Sequence, residues 1–107
     1  MAKSVVAFSL EEFDPTYTRV LVGDANFKYT DLTNLGTLEV ITGFAYFQGS
    51  QYDSQVKSLG NLTTIGGYAD FRNSQVKSLG QLTTIGGSVY FGNRTDLKAE
   101  WEKRKNK

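Results

Sequence analysis

Six side chains carry the recognition chemistry that this sequence offers: Phe44, Tyr46, Tyr68, Asp70, Arg72 and Tyr90. Tyr46, Asp70 and Tyr90 each precede a phenylalanine (Phe47, Phe71 and Phe91), and from Phe27 onward these phenylalanines are separated by 20, 24 and 20 residues. If each interval is one turn of a coil, equivalent positions stack about 4.8 Å apart. Phe44 then neighbours Tyr68, and Tyr46, Asp70 and Tyr90 form a row with Arg72 beside it. Aromatics flanked by an arginine have the composition of an interface hot spot. The same row also reads as an aromatic ladder whose cross-strand contacts stabilise the sheet.

Catalytic chemistry has little to work with. The chain has no histidine and no cysteine, which removes the commonest general base, the thiolate nucleophile and the usual zinc ligands. The 11 carboxylates are spread thinly, and the Gly-Gly pairs lack the context of a phosphate-binding loop. We therefore expect a non-enzymatic protein with no catalytic residues, no cofactor and no metal site.

The elements that position these residues follow from a tandem repeat. Residues 56–75 and 76–95 match at 13 of 20 positions, Leu35 to Phe47 is a third copy, and Gly23 to Phe27 with Leu32 and Leu35 is a degenerate fourth. A period near 20 residues marks a solenoid, in which no unit buries its apolar side alone. In one unit the inward set is Val56, Leu59, Leu62, Ile65, Ala69 and Phe71, recurring as Val76, Leu79, Leu82, Ile85, Val89 and Phe91. Steps of three followed by a step of two suit a bending coil that ends in a strand. Gly66-Gly67 and Gly86-Gly87 sit just before that strand and read as a corner, through positive φ or close backbone approach. The polar residues Ser58 and Ser78, and Asn73 and Asn93, are expected to bond to backbone or to each other at the turns. The four extra residues of one interval fall at Tyr52 to Gln55 and predict a loop.

These readings give a mainly β fold: a β-solenoid of about four coils in one domain, with an N-terminal cap (1–22), a repeat array (23–95) and a C-terminal capping helix with a basic tail (96–107). At the front, Ser9 and Glu12 resemble a capping box, Val5, Val6, Phe8, Leu10 and Phe13 are offered as apolar cover, and Thr18 to Val22 enters as a strand. At the back, Thr95 or Asp96 caps a helix on which Leu97 and Trp101 share a face, so Trp101 reads as a lid.

Net charge is +1, but five basic and two acidic residues lie between Lys98 and Lys107, leaving the remainder at −2. A polyanion footprint over the repeats is not indicated, and any nucleic-acid role leans on the tail. No apolar run approaches a signal-peptide core or a membrane span. A cytoplasmic home without membrane association is the expectation, and the sequons at Asn61 and Asn93 read as repeat residues.

The run LGxLTTIGGxxxF, present at Leu59 to Phe71 and Leu79 to Phe91, resembles the short leucine-rich-type repeats of many bacterial and phage proteins. Those are similar in pattern to the L domains of growth-factor receptors. The resemblance covers Val20 to Thr95 and departs from the receptor domains in lacking disulfides and longer turns. It implies a β-solenoid or horseshoe binding module, usually non-enzymatic. The expected function is protein binding through Phe44, Tyr46, Tyr68, Asp70, Arg72 and Tyr90, with Tyr52, Asp53, Arg94, Lys103 and Arg104 as secondary contacts. A narrower version, by analogy with phage repeats, is an inhibitor that occludes a host defence nuclease in the manner of an anti-CRISPR protein. The alternatives are single-stranded nucleic-acid binding through the tyrosines and basic tail, and a structural, self-associating repeat. The strand face alone spans only on the order of 300 Å², against about 800 Å² per partner in standard interfaces, so a partner reaches beyond it or two copies pair as a homodimer.

Overall fold

Apolar residues spaced by three and then by two produce short strands joined at corners, and the computed structural model shows this over the residues it describes, 5–27, 30, 32–48 and 55–105. The strands are β1 (Val6–Ala7), β2 (Val20–Leu21), β3 (Ala25–Asn26), β4 (Val40–Ile41), β5 (Ala45–Tyr46), β6 (Thr64–Ile65), β7 (Ala69–Asp70), β8 (Thr84–Ile85) and β9 (Val89–Tyr90), followed by helix α1 (Thr95–Lys105). They form two parallel sheets, one of five strands ordered β1-β2-β4-β6-β8 and one of four ordered β3-β5-β7-β9. The fold is a mainly β solenoid with one C-terminal helix, and its coil count is close to the expected four.

Register follows the repeat: Ile41 pairs with Ile65 and Ile65 with Ile85, while Ala45 pairs with Ala69 and Ala69 with Val89. The bonds that flank the strands join successive coils. At the five-stranded sheet the later coil donates there, as in Gly66 N to Ile41 O (2.7 Å) and Gly86 N to Ile65 O (2.8 Å). At the four-stranded sheet the earlier coil donates there, as in Ala45 N to Tyr68 O (2.9 Å) and Phe71 N to Tyr90 O (2.7 Å).

Inside, equivalent residues form columns. Leu35, Leu59 and Leu79 make one and Leu38, Leu62 and Leu82 another, all buried. Phe27, Phe47, Phe71 and Phe91 stack with ring centroids 4.9, 5.1 and 5.8 Å apart and nearly parallel planes. The corner serines behave as expected of ladder residues: Ser58 Oγ and Ser78 Oγ accept from the N–H of Gly60 (3.1 Å) and Gly80 (3.0 Å), as Asn34 Oδ1 does from Gly36 (2.7 Å).

The ends depart from the sequence reading in detail. At the front, the segment expected as a cap already belongs to the sheet, because Val6 and Ala7 pair in parallel with Val20 and Leu21. Alternation along that strand turns Ala7 inward and leaves Phe8 68% exposed, with Val5 also exposed. Neither serves as cover. Instead of a helical turn capped at Ser9, the chain makes two tight turns (Glu12 N to Ser9 O, 3.2 Å; Phe13 N to Leu10 O, 3.3 Å), and Glu12 Oε1 accepts from Phe8 N rather than from Ser9.

At the back, α1 covers the last coil with Leu97 and Trp101, both buried. Its polar side chains stand in for a missing coil. Gly36 O accepts from Asn61 N of the following coil (3.0 Å), whereas Gly80 O accepts from Arg104 Nη2 (2.7 Å). Arg104 Nη1 also donates to Leu82 O, and Glu100 Oε1 accepts from Leu79 N (2.8 Å) and Ser78 Oγ (3.0 Å). Among the described residues no helix is long and apolar enough to cross a membrane.

Candidate recognition face

Two-residue strands with an alternating side-chain direction build this site. Ala45, Ala69, Phe47 and Phe71 turn into the core, so Tyr46 and Asp70, set between them, turn out, and Tyr90 follows in register. The structure brings all six predicted residues onto one side of the four-stranded sheet. Phe44 stacks on Tyr68 (4.8 Å, 12° between planes) and meets Tyr46 edge-on (4.8 Å). Tyr68 in turn meets Tyr46 (5.5 Å) and Tyr90 (6.2 Å) at steep angles. The Tyr46 and Tyr68 hydroxyls share a hydrogen bond. The ladder contacts therefore exist, and they rigidify the face.

Asp70 differs from its expected place in an exposed row. It points away from the core yet is only 1% exposed, because Arg72, two residues along the same strand side, folds back over it. Asp70 accepts from Arg72 N (3.0 Å), Nε (3.0 Å) and Nη2 (2.7 Å), which occupies both carboxylate oxygens. A planar two-point pair of this kind fixes the guanidinium in space. The Arg72 guanidinium carbon also lies 5.6 Å from the centre of the Tyr90 ring, within cation–π range. Asp70 is thus a positioning residue, while Arg72 and Tyr90 stay exposed at the surface.

Tyr46, Tyr68, Asp70, Arg72 and Tyr90 line a shallow cavity of about 460 Å³. With Asp70 already saturated, its remaining polar groups are phenolic hydroxyls and the free edge of Arg72, so the cavity is rich in donors. Phe44 lies outside that lining and supports Tyr68 from the side.

The secondary residues do not join it. Tyr52 and Asp53 lie outside the described residues. Arg94 donates to Ser74 O and pairs with Asp96 (2.9 Å), tying the last corner to the start of α1. Arg104 is committed to the last coil as described above, and Lys103 is exposed on the helix. Glu100 and Arg104 had no signal in the repeat pattern; their i, i+4 spacing on α1 was the one available hint of a pair. Among the described residues no cluster of His, Cys, Asp or Glu could hold a metal ion.

Tyr68 titrates far from the ordinary tyrosine value of 10.0, being pushed up to about 12, first by the hydrogen bond to Tyr46, then by burial and by the negative charge of Tyr46, Asp24 and Asp70. Phenolate absorbance of the native protein should therefore show one tyrosine ionising near pH 12, and Tyr46→Phe should return it toward 10.0. The folded state holds this proton after the unfolded chain has lost it. The associated stability is fully present below pH 10 and is lost as pH rises through about 12. Comparison with protein-family profiles, with curated proteins and with solved structures finds no match to this chain.

Proposed function

We propose that the protein is a non-enzymatic binding module that grips a protein partner through Arg72, Tyr90, Tyr46 and Tyr68. One observation carries the reading: an exposed arginine is locked in place by a buried carboxylate and a tyrosine ring, inside a cavity walled by three tyrosines. Rigid aromatics and a fixed guanidinium bind without losing much side-chain freedom, which is the property of hot-spot residues. A donor-rich lining suits the carbonyl and carboxylate groups of a protein surface. The cavity is small against a standard interface, so it serves as the central anchor of a larger contact. The narrower role, occlusion of a host defence nuclease, rests on the repeat resemblance and on small size.

The protein used as bait in lysate of its native host, with and without nuclease treatment, tests the reading. A partner retained by the wild type should be lost with Arg72→Ala and with Tyr90→Ala, each weakening it by about 2 kcal/mol, roughly thirtyfold. Tyr90 is exposed, and removing the Arg72 side chain opens Asp70 on the outer face to water instead of sealing it in unpaired, so the fold survives either truncation. Retention unchanged in both variants would make the row a ladder only, and recovery that disappears on nuclease treatment would make nucleic acid the ligand.

A further inference from the structure

The far end of the solenoid is level and only partly covered. Among the described residues both sheets finish in edge strands there, β8 paired only with β6 and β9 only with β7. Helix α1 covers the Leu79–Leu82 side of the last coil, and between the helix and the two edges lies a cavity of about 500 Å³, lined by Ile85, Val89 and Phe91 on one side and Lys98, Trp101 and Glu102 on the other. The repeat itself shows what such a surface is shaped to receive. Ile65, Ala69 and Phe71 are completely buried under the following coil, whereas their equivalents Ile85 and Val89 are half-buried and Phe91 is 8% exposed.

We infer that this slot docks an extended segment of a partner protein, running parallel to β8 and β9 as one further coil, with glycine at its corner. Polarity supports the mode. Thr63 O, Ile65 O and Gly67 O accept from the next coil's Thr83, Thr84, Gly86 and Gly87, and Ala69 N and Phe71 N donate to its Ser88 O and Tyr90 O. The last coil presents the same groups, Thr83 O, Ile85 O and Gly87 O as acceptors and Val89 N and Phe91 N as donors, beside the slot. Pairing of a peptide with an exposed sheet edge draws its affinity from these main-chain bonds and its specificity from side-chain pockets.

The glycine requirement follows from the corner geometry. A Cβ at Gly66 would strike the carbonyl of Thr42 in the coil beneath, and one at Gly86 would strike the carbonyl of Gly66. An occupant continuing the stack meets the Gly86 carbonyl in the same way. A second copy stacked head to tail is a poor fit: among the described residues its opposite end is stepped, because the five-stranded sheet begins one strand before the four-stranded one, so both edges cannot be met together.

Trp101 is the only tryptophan and lines the slot, so it reports on occupancy. The probe is a synthetic peptide with the sequence of residues 82–91, added to the full chain. We expect a saturable shift in Trp101 emission and slowed hydrogen exchange at the Val89 and Phe91 amides. A peptide with both glycines replaced by valine should give neither effect, and one N-methylated at alternate residues should bind at least tenfold more weakly. Equal binding by the valine peptide, protection mapping to the tyrosine face, or no saturable shift would overturn the inference. So would light scattering showing that the chain alone already pairs through this end.

Discussion

Gly66→Ala should cost about 4 kcal/mol or more and abolish cooperative folding, whereas Gly80→Ala, in an equally repeated position, should cost only about 1–2 kcal/mol. The two glycines exist for different reasons. Gly80 has φ +56°, a left-handed conformation that penalises any Cβ, but the nearest atom to that Cβ is Gly60 O at 3.8 Å, so there is room. Gly66 is not among the positive-φ residues. Its added Cβ would instead collide with Thr42 O and sit 2.9 Å from Thr42 C. Those atoms are backbone, held from below by Thr42 N to Leu21 O (3.0 Å) and from the same coil junction by Gly66 N to Ile41 O (2.7 Å). Nothing flexible can yield, and separating the coils would break the ladder on both sides. Urea denaturation of the two variants separates the cases. Equal costs would show that conformation rather than coil-to-coil approach dictates glycine at the corner.

This distinction marks where the sequence was legible and where it was not. Repetition exposed the Phe27–Phe47–Phe71–Phe91 column, because a core residue shared by successive coils must recur in type and spacing. It also placed Tyr46, Asp70 and Tyr90 outside that column, since a strand alternates its faces. Repetition says nothing about a contact made once. Arg72 has Gly92 as its equivalent, so no pattern shows that it folds over Asp70 and buries a carboxylate on the outer face. The ends are opaque for the same reason. Glu100 and Arg104 replace the hydrogen bonds of an absent coil, a task with no periodicity, and Phe8 looked like cover by hydrophobicity although the pairing of Val6 with Val20 turns it outward. The Gly-Gly corner was recognisable as a corner, but only coordinates separate close approach from positive φ.

Phe71→Ala should destabilise the protein by about 3–5 kcal/mol, and should do so by more than Phe91→Ala. Phe71 is fully buried between two rings, Phe47 at 5.1 Å and Phe91 at 5.8 Å, while Phe91 is 8% exposed and stacks on one ring only. Truncating the middle member leaves a void closed above and below by ring faces that the ladder holds apart, so collapse into it is resisted and the cavity cost is paid in full. At the end of the column the surroundings can relax toward α1. Chemical denaturation gives the two costs, and near-equal values would mean that the column is not constrained by the ladder. The effect reaches the recognition face as well. Phe71 lies between Asp70 and Arg72 in the chain, so the turn that lets Arg72 cover Asp70 is anchored by that ring. In Phe71→Ala the Asp70–Arg72 pair (2.7 Å) should loosen before the Tyr46–Tyr68 contact one coil away. Partner binding should then weaken in the folded variant while Tyr68 still titrates near 12. A binding loss accompanied by a return of Tyr68 toward 10.0 would instead show that the whole face moves as one body, with the arginine clamp and the tyrosine ladder inseparable.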